Sequence, residues 1–185
     1  MRLTSLEMED FTEEQLACYG RMVRGPRPSV AGPLWAWLRV PPLADVAQEY
    51  GAYCRFRTKL DRRLAELTIL VIAAHWKAGF EWAVHAAPAH EEGLSTEQIE
   101  CIRTGKIPYF DREEDRAVYD YCIELLGKRA VTNTTYATLV GAIGEKGAVE
   151  IVGLTGYYLL VAVSIITFDL PCPNGIADPF ADLRD

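Results

Sequence analysis

The chain has 185 residues, 50% of them hydrophobic and 24% charged, which suits one globular domain with a real core. Nineteen basic residues against 26 acidic ones leave a net charge of −7. Without a clustered cationic surface to neutralise phosphates, nucleic acid is not an expected partner.

The pattern is helical nearly throughout, so the expected fold class is all-α. Thr12-Glu-Glu-Gln15 is a capping box opening a helix to about Val23. Residues 25–33, dense in Gly and Pro, form a loop. Trp35, Trp37 and Leu38 follow as an apolar patch cut off by Pro41-Pro42. A helix over about 43–57 carries apolar residues at Leu43, Val46, Ala47, Tyr50 and Tyr53/Cys54. Asp61 begins the longest pattern, about 61–87, with Pro88 expected to stop it. Ser95-Thr-Glu-Gln98 is a second capping box, for a short helix ending near Gly105. Asp111 is the expected cap of a helix to Leu126, with Glu113 and Glu114 suited to its first turn. Thr132 or Asn133 caps a further short helix before a long apolar one over about 148–168, and the tail from Pro171 is irregular. The organisation is an N-terminal helix and Pro/Gly/Trp loop (1–42), a helical domain (43–170) and a tail (171–185).

Residues 151–168 carry no charge, the length at which a membrane span must be weighed. The polar and small residues Gly153, Thr155, Gly156, Ser164 and Thr167, and the absence of a basic flank, point instead to a core or subunit-interface helix. Residues 67–74 are also apolar nearly all round, and such helices need cover on every side. Two of them exceed what a monomer of this size covers, so a homo-oligomer is expected. The first ten residues hold no apolar segment or cleavage site, and five widely spaced cysteines lack a C-x-x-C pair. Both features suit a cytoplasmic protein with reduced thiols and no membrane partner.

The chemistry concentrates in residues 63–85. Glu81 and His85 are spaced i,i+4 and share a helix face, where a carboxylate can orient an imidazole and favour its charged form. Glu66 stands in an apolar turn and needs a partner, either Arg63 or a group from elsewhere. Trp35/Trp37, Phe80/Trp82 and Tyr157/Tyr158 could line an apolar pocket, although core packing is the default for such residues. No third ligand stands in register with a histidine, so no metal or other cofactor is expected.

Taken together, Arg63-x-x-Glu66-Leu-Thr-Ile-Leu, Gly79-Phe-Glu81-Trp-x-x-His85 and Ala89-x-x-x-Gly93-Leu-Ser95 resemble the carboxymuconolactone decarboxylase / AhpD-like alkylhydroperoxidase family. A Glu-Gln-Ile at 97–99, a Val-Glu-Ile at 149–151 and Tyr157-Tyr158 extend the resemblance over about 43–170. It implies an AhpD-like helical bundle, an obligate oligomer built as a trimer, a dimer of trimers or a dimer. The peroxidase branch uses Glu-x11-Cys-x2-Cys-x3-His; here Glu66 and His85 keep their places, but Ala78 and Glu81 stand where the cysteines would. Thiol peroxidase chemistry at this motif is therefore not expected. The decarboxylase branch places a Glu four residues before the His, as here, which implies a carboxy-lyase acting on a small lactone or carboxylic acid in aromatic-compound catabolism. Protonated His85 is then the acid, or the donor to the lactone oxygen, with Glu81 its orienter or relay and Glu66, paired to Arg63, behind them. Trp82, Tyr157 and Arg63 are the expected substrate contacts, and Arg27 or Arg39 the candidate cations for a substrate carboxylate. Two alternatives stand beside this reading: a peroxidase-related protein using thiols outside the motif, such as Cys54 or Cys172, and a non-catalytic ligand-binding oligomer.

Overall fold

The computed structural model describes residues 1–26 and 29–183. Every regular element among the described residues is helical. They are α1 (Glu13–Val23), α2 (Pro33–Trp37), α3 (Pro41–Ala52), a π-helical turn (Tyr53–Arg57), α4 (Arg62–His75), α5 (Gly79–Glu91), α6 (Thr96–Arg103), α7 (Glu113–Lys128) and α8 (Asn133–Phe168). Short 3-10 turns at Pro173–Gly175 and Ala181–Leu183 shape the tail.

α4 is the central rod, packed by α5, α6, α7 and α8 and buried at every residue from Leu64 to Ala73. Its N-terminus is capped by Asp61, whose side chain accepts from the Arg63 N–H. Both capping boxes form, Thr12 with Gln15 and Ser95 with Gln98, and Thr132 caps α8. The 61–87 pattern divides in two. Lys77 takes a left-handed φ of 49°, reverses the chain and lays α5 back along α4. Pro88 does not end α5, because the chain resumes one turn later through a bond from the Glu92 N–H to the Pro88 carbonyl at 2.9 Å. Pro41-Pro42 begin α3 rather than closing what precedes it, since the first turn needs no N–H from them. The cap of α7 falls at Arg112, without a side-chain bond, rather than at Asp111. In α8 the only break is Gly144, whose φ of 72° and ψ of 166° interrupt the helix between its shorter first part and its long apolar second part.

One apolar cluster runs from Phe11 and Cys18 through α3, α4 and α8 to Phe180, so the N-terminal helix and the tail share the core of the middle segment. α4 is thus covered within one chain. α8 is covered on one side only: Leu154, Tyr158, Val161 and Ile165 face inward, while Val149, Val152, Leu160, Val163 and Ile166 are exposed. Its most apolar 18-residue window has a mean hydropathy of 2.0, long and apolar enough for a span by composition, and half of it is buried in the bundle.

Candidate active site

A cavity of about 310 Å3 opens between α2, the π-helical turn, α5 and α8. Its apolar wall includes Trp37, Phe80, Tyr157, Tyr158 and Val161, and its ionisable groups are Arg55, Glu81 and His85. Glu81, Val84 and His85 reach it together because i, i+3 and i+4 share one face of α5. The wall is set by α8: the Trp37 indole N–H donates to Ser164 Oγ at 3.0 Å, and the Tyr157 ring stands edge-on to Trp37 and Tyr50. The ring of Gly32's neighbour across the loop, Phe80, packs so closely that a side chain at Gly32 would overlap it, and Gly32 also holds φ at 56°.

His85 and Glu66 form a buried pair, Nδ1 to Oε2 at 2.6 Å, with 3% and 5% of their surfaces exposed. With Nδ1–H donating to Glu66, Nε2 is the nitrogen left for the cavity. Burial pulls the His85 pKa below its ordinary value, against the opposing pull of Glu66, so the ring is neutral near pH 7. Glu66 has a second neighbour in Arg62, one turn back on α4 at 4.0 Å. Glu81 is a different kind of carboxyl. Only 1% of it is exposed, neither oxygen has a hydrogen-bond partner among the described residues, and burial holds its pKa well above the ordinary carboxylate value. Burial thus favours its neutral form, and the residue stands in the wall of the cavity.

These facts exchange the expected roles. Glu81 and His85 do share a face, but the ring is held by Glu66 across the α4/α5 packing, not by Glu81, and burial pushes the Glu81 pKa up and the His85 pKa down. The pairing was hidden because Glu66 and His85 are 19 residues apart and meet only through the reversal at Lys77. Arg63 does not pair with Glu66 and does not line the cavity. Its Nη2 and Nε bond Asp115 of α7 at 2.6 and 2.8 Å. Asp115 is fully buried, and the guanidinium passes so close to Gly93 (φ 100°) that a Cβ there would lie 2.7 Å from Nη1. Trp82 points away from the cavity, a helical step of about 100° from Glu81, and packs edge-on to Phe180 with ring centres 5.3 Å apart. Of the three expected substrate contacts, Tyr157 lines the cavity. Arg39 donates to the carbonyls of Trp35 and Thr4 and lines the neighbouring cavity of about 370 Å3, on the far side of Phe80. Arg27 lies outside the described residues.

Among the described residues the cation at the cavity is Arg55, which the sequence pattern did not single out. Among the described residues no group of three or more His, Cys, Asp or Glu side chains is arranged to hold a metal. Neither Cys54 nor Cys172 lines this cavity. Burial, with the Asp45 carboxylate adding to it, pushes the Cys18 thiol up to about 11, and burial pushes Cys122 up to about 12.

Residues 41–121 match the model of the carboxymuconolactone decarboxylase family. The match covers α3, the π-helical turn, α4, α5, α6 and the first half of α7, and therefore includes Glu66, Glu81, His85 and Arg55. No curated protein matches the chain.

Proposed function

With residues 41–121 forming a carboxymuconolactone decarboxylase family domain, we propose that the protein is a cytoplasmic carboxy-lyase or proton-transfer enzyme acting on a small lactone or carboxylic acid. The observation that carries this reading is the Glu81 carboxyl, buried, protonated and without a partner, at the wall of a cavity that also holds a neutral histidine. Two titratable groups whose environments drive them to opposite roles are the mark of acid–base chemistry. A surface salt bridge would show neither feature.

In the proposed reaction the bond from carbon to the leaving carboxylate breaks, CO2 departs, and the electron pair passes into the unsaturated lactone and onto its oxygen. Glu81 then delivers its proton to carbon and becomes a carboxylate. His85, with its Nδ1–H fixed on Glu66, offers Nε2 as the base through which a solvent proton returns to Glu81. The apolar wall keeps bulk water from the intermediate and strengthens each charge interaction within. The cysteines take no part, which leaves the peroxidase-related alternative without a thiol at the site.

The test is turnover of carboxymuconolactone followed by its ultraviolet absorbance. The wild-type protein is expected to consume it, and His85→Ala to lose a factor of about 10²–10⁴ while remaining folded. Turnover that survives in His85→Ala would sink the site; no turnover by the wild type would sink the reaction and favour a ligand-binding oligomer.

The exposed side of α8 is proposed to be covered by further copies of the chain, as a trimer, a dimer of trimers or a dimer. Sedimentation velocity is expected to report a mass two, three or six times the 20.7 kDa of the chain. A monomer at micromolar concentration would overturn this.

A further inference from the structure

Arg55 reaches the cavity from an unusual piece of backbone. After Ala52, α3 passes into the π-helical turn Tyr53–Arg57, a geometry that is rare and recurs at functional sites. The turn is held from across the bundle by one side chain, Glu150 of α8. Its carboxylate accepts from Tyr53 Oη at 3.0 Å, from Thr58 Oγ1, and from the N–H groups of Lys59 and Leu60 at 3.0 and 2.9 Å. A carboxylate so fully engaged acts as a clamp on the end of the turn.

The arginine presented in this way has no carboxylate within ion-pair distance among the described residues, and its Cζ lies 5.4 Å from the ring of Phe56. The nearest acids are otherwise occupied. Glu66 is bonded to His85, and Glu81 carries no charge with which to answer a guanidinium. Cation and buried unpartnered carboxyl thus line one apolar chamber, and each lacks a partner that an anionic ligand with a second oxygen function would bring.

We propose that Arg55 is a binding residue for a carboxylate on a small, ring-sized, mostly apolar acid, and that the Glu150-clamped π-helical turn sets its position. The proposal rests on the acid–base reading of this cavity and extends it. The carboxylate on Arg55 is one that the ligand keeps, which leaves the reacting carbon toward Glu81 and His85. A planar guanidinium can take a carboxylate through two parallel bonds, fixing orientation as well as charge. The aromatic wall of Trp37, Phe80, Tyr157 and Tyr158 suits a flat unsaturated ligand.

The experiment is calorimetric titration of the full chain with benzoate, and with benzamide as its uncharged counterpart. Wild type is expected to bind benzoate, Arg55→Met to bind it roughly tenfold to a hundredfold more weakly, and Arg55→Lys to fall between, because charge persists without the paired geometry. Benzamide is expected to bind all three alike, which also shows that the variants retain the cavity. Equal benzoate affinity in the three proteins, or no benzoate binding by wild type, would overturn the proposal; if Arg55→Met fails to fold, equal affinity of Arg55→Lys and wild type does the same. Benzoate held through Arg55 with no turnover of carboxymuconolactone would leave this anchor standing and remove the acid–base reading. Full turnover in Arg55→Met would do the reverse.

Discussion

Replacing Glu81 with glutamine is expected to lower turnover by about 10²–10⁴, because an isosteric amide has no proton to give to carbon. The same variant should change how stability depends on pH. In the unfolded chain Glu81 releases its proton near the ordinary 4.5, whereas burial keeps it protonated far above that in the native state. Below the unfolded value both states hold the proton and the contribution to stability is complete. As pH rises above it, through to the raised native value, the folded protein keeps a proton that the unfolded chain has lost, and stability falls. Glutamine cannot titrate, so the difference in unfolding free energy between variant and wild type should move steadily in the variant's favour as pH rises above the ordinary 4.5 toward the raised native value. His85 works in the opposite sense. Held neutral by burial, it disfavours the folded state as pH falls below its ordinary 6.5, and both proteins should share that acid limb. Thermal unfolding across this range, together with kcat, checks both halves. Parallel stability curves would show that Glu81 is not held protonated, and unchanged kcat would remove it from the chemistry.

Arg63→Met should produce the largest loss of stability, about 3–5 kcal/mol, since it strands the fully buried Asp115 carboxylate without its cation. The effect is large against a typical total of about 5–15 kcal/mol. One oxygen, Asp115 Oδ1, already lacks a hydrogen bond, so the carboxylate has no bonds to spare when Arg63 is removed. Adding Asp115→Leu to Arg63→Met should restore much of the loss, because the cost lies in the orphaned charge rather than in the missing pair. Guanidinium unfolding of the two single variants and the double closes the cycle. A loss under about 1 kcal/mol in Arg63→Met would mean that Asp115 finds another partner, such as water, instead.

The contrast between Arg63 and Glu66 shows where sequence alone reaches and where it stops. The capping pairs Thr12/Gln15 and Ser95/Gln98 were legible because every atom they use lies within one turn of chain. The helices α4 and α8 were legible as segments apolar nearly all round, although α4 finds its cover within one chain. Glu66, Glu81 and His85 stood out as residue types in unusual surroundings, but their pairing did not, because it depends on how α5 folds back over α4. Lys77, a residue with no particular taste for a left-handed φ, makes that reversal, and helical periodicity runs through it without a mark. Arg63 was expected at the pocket and Arg55 was not, for the same reason. Both belong to one basic stretch; only packing decides that the first serves Asp115 and the second faces the chamber.

The π-helical turn has a consequence for comparing this chain with others. Bonds that close five residues on, rather than four, take up one more residue than an α-helix of the same span, and each residue advances a helix by about 100°. The register of α3 up to Ala52 and the register of the turn over 53–57 are therefore out of step. A relative with an unbroken α-helix here would be one residue shorter, and a gap-free alignment would set Arg55 opposite a side chain that looks elsewhere. Such a relative would need to recruit its cation from another position, so a missing arginine in that column would say nothing about whether the anion site is missing.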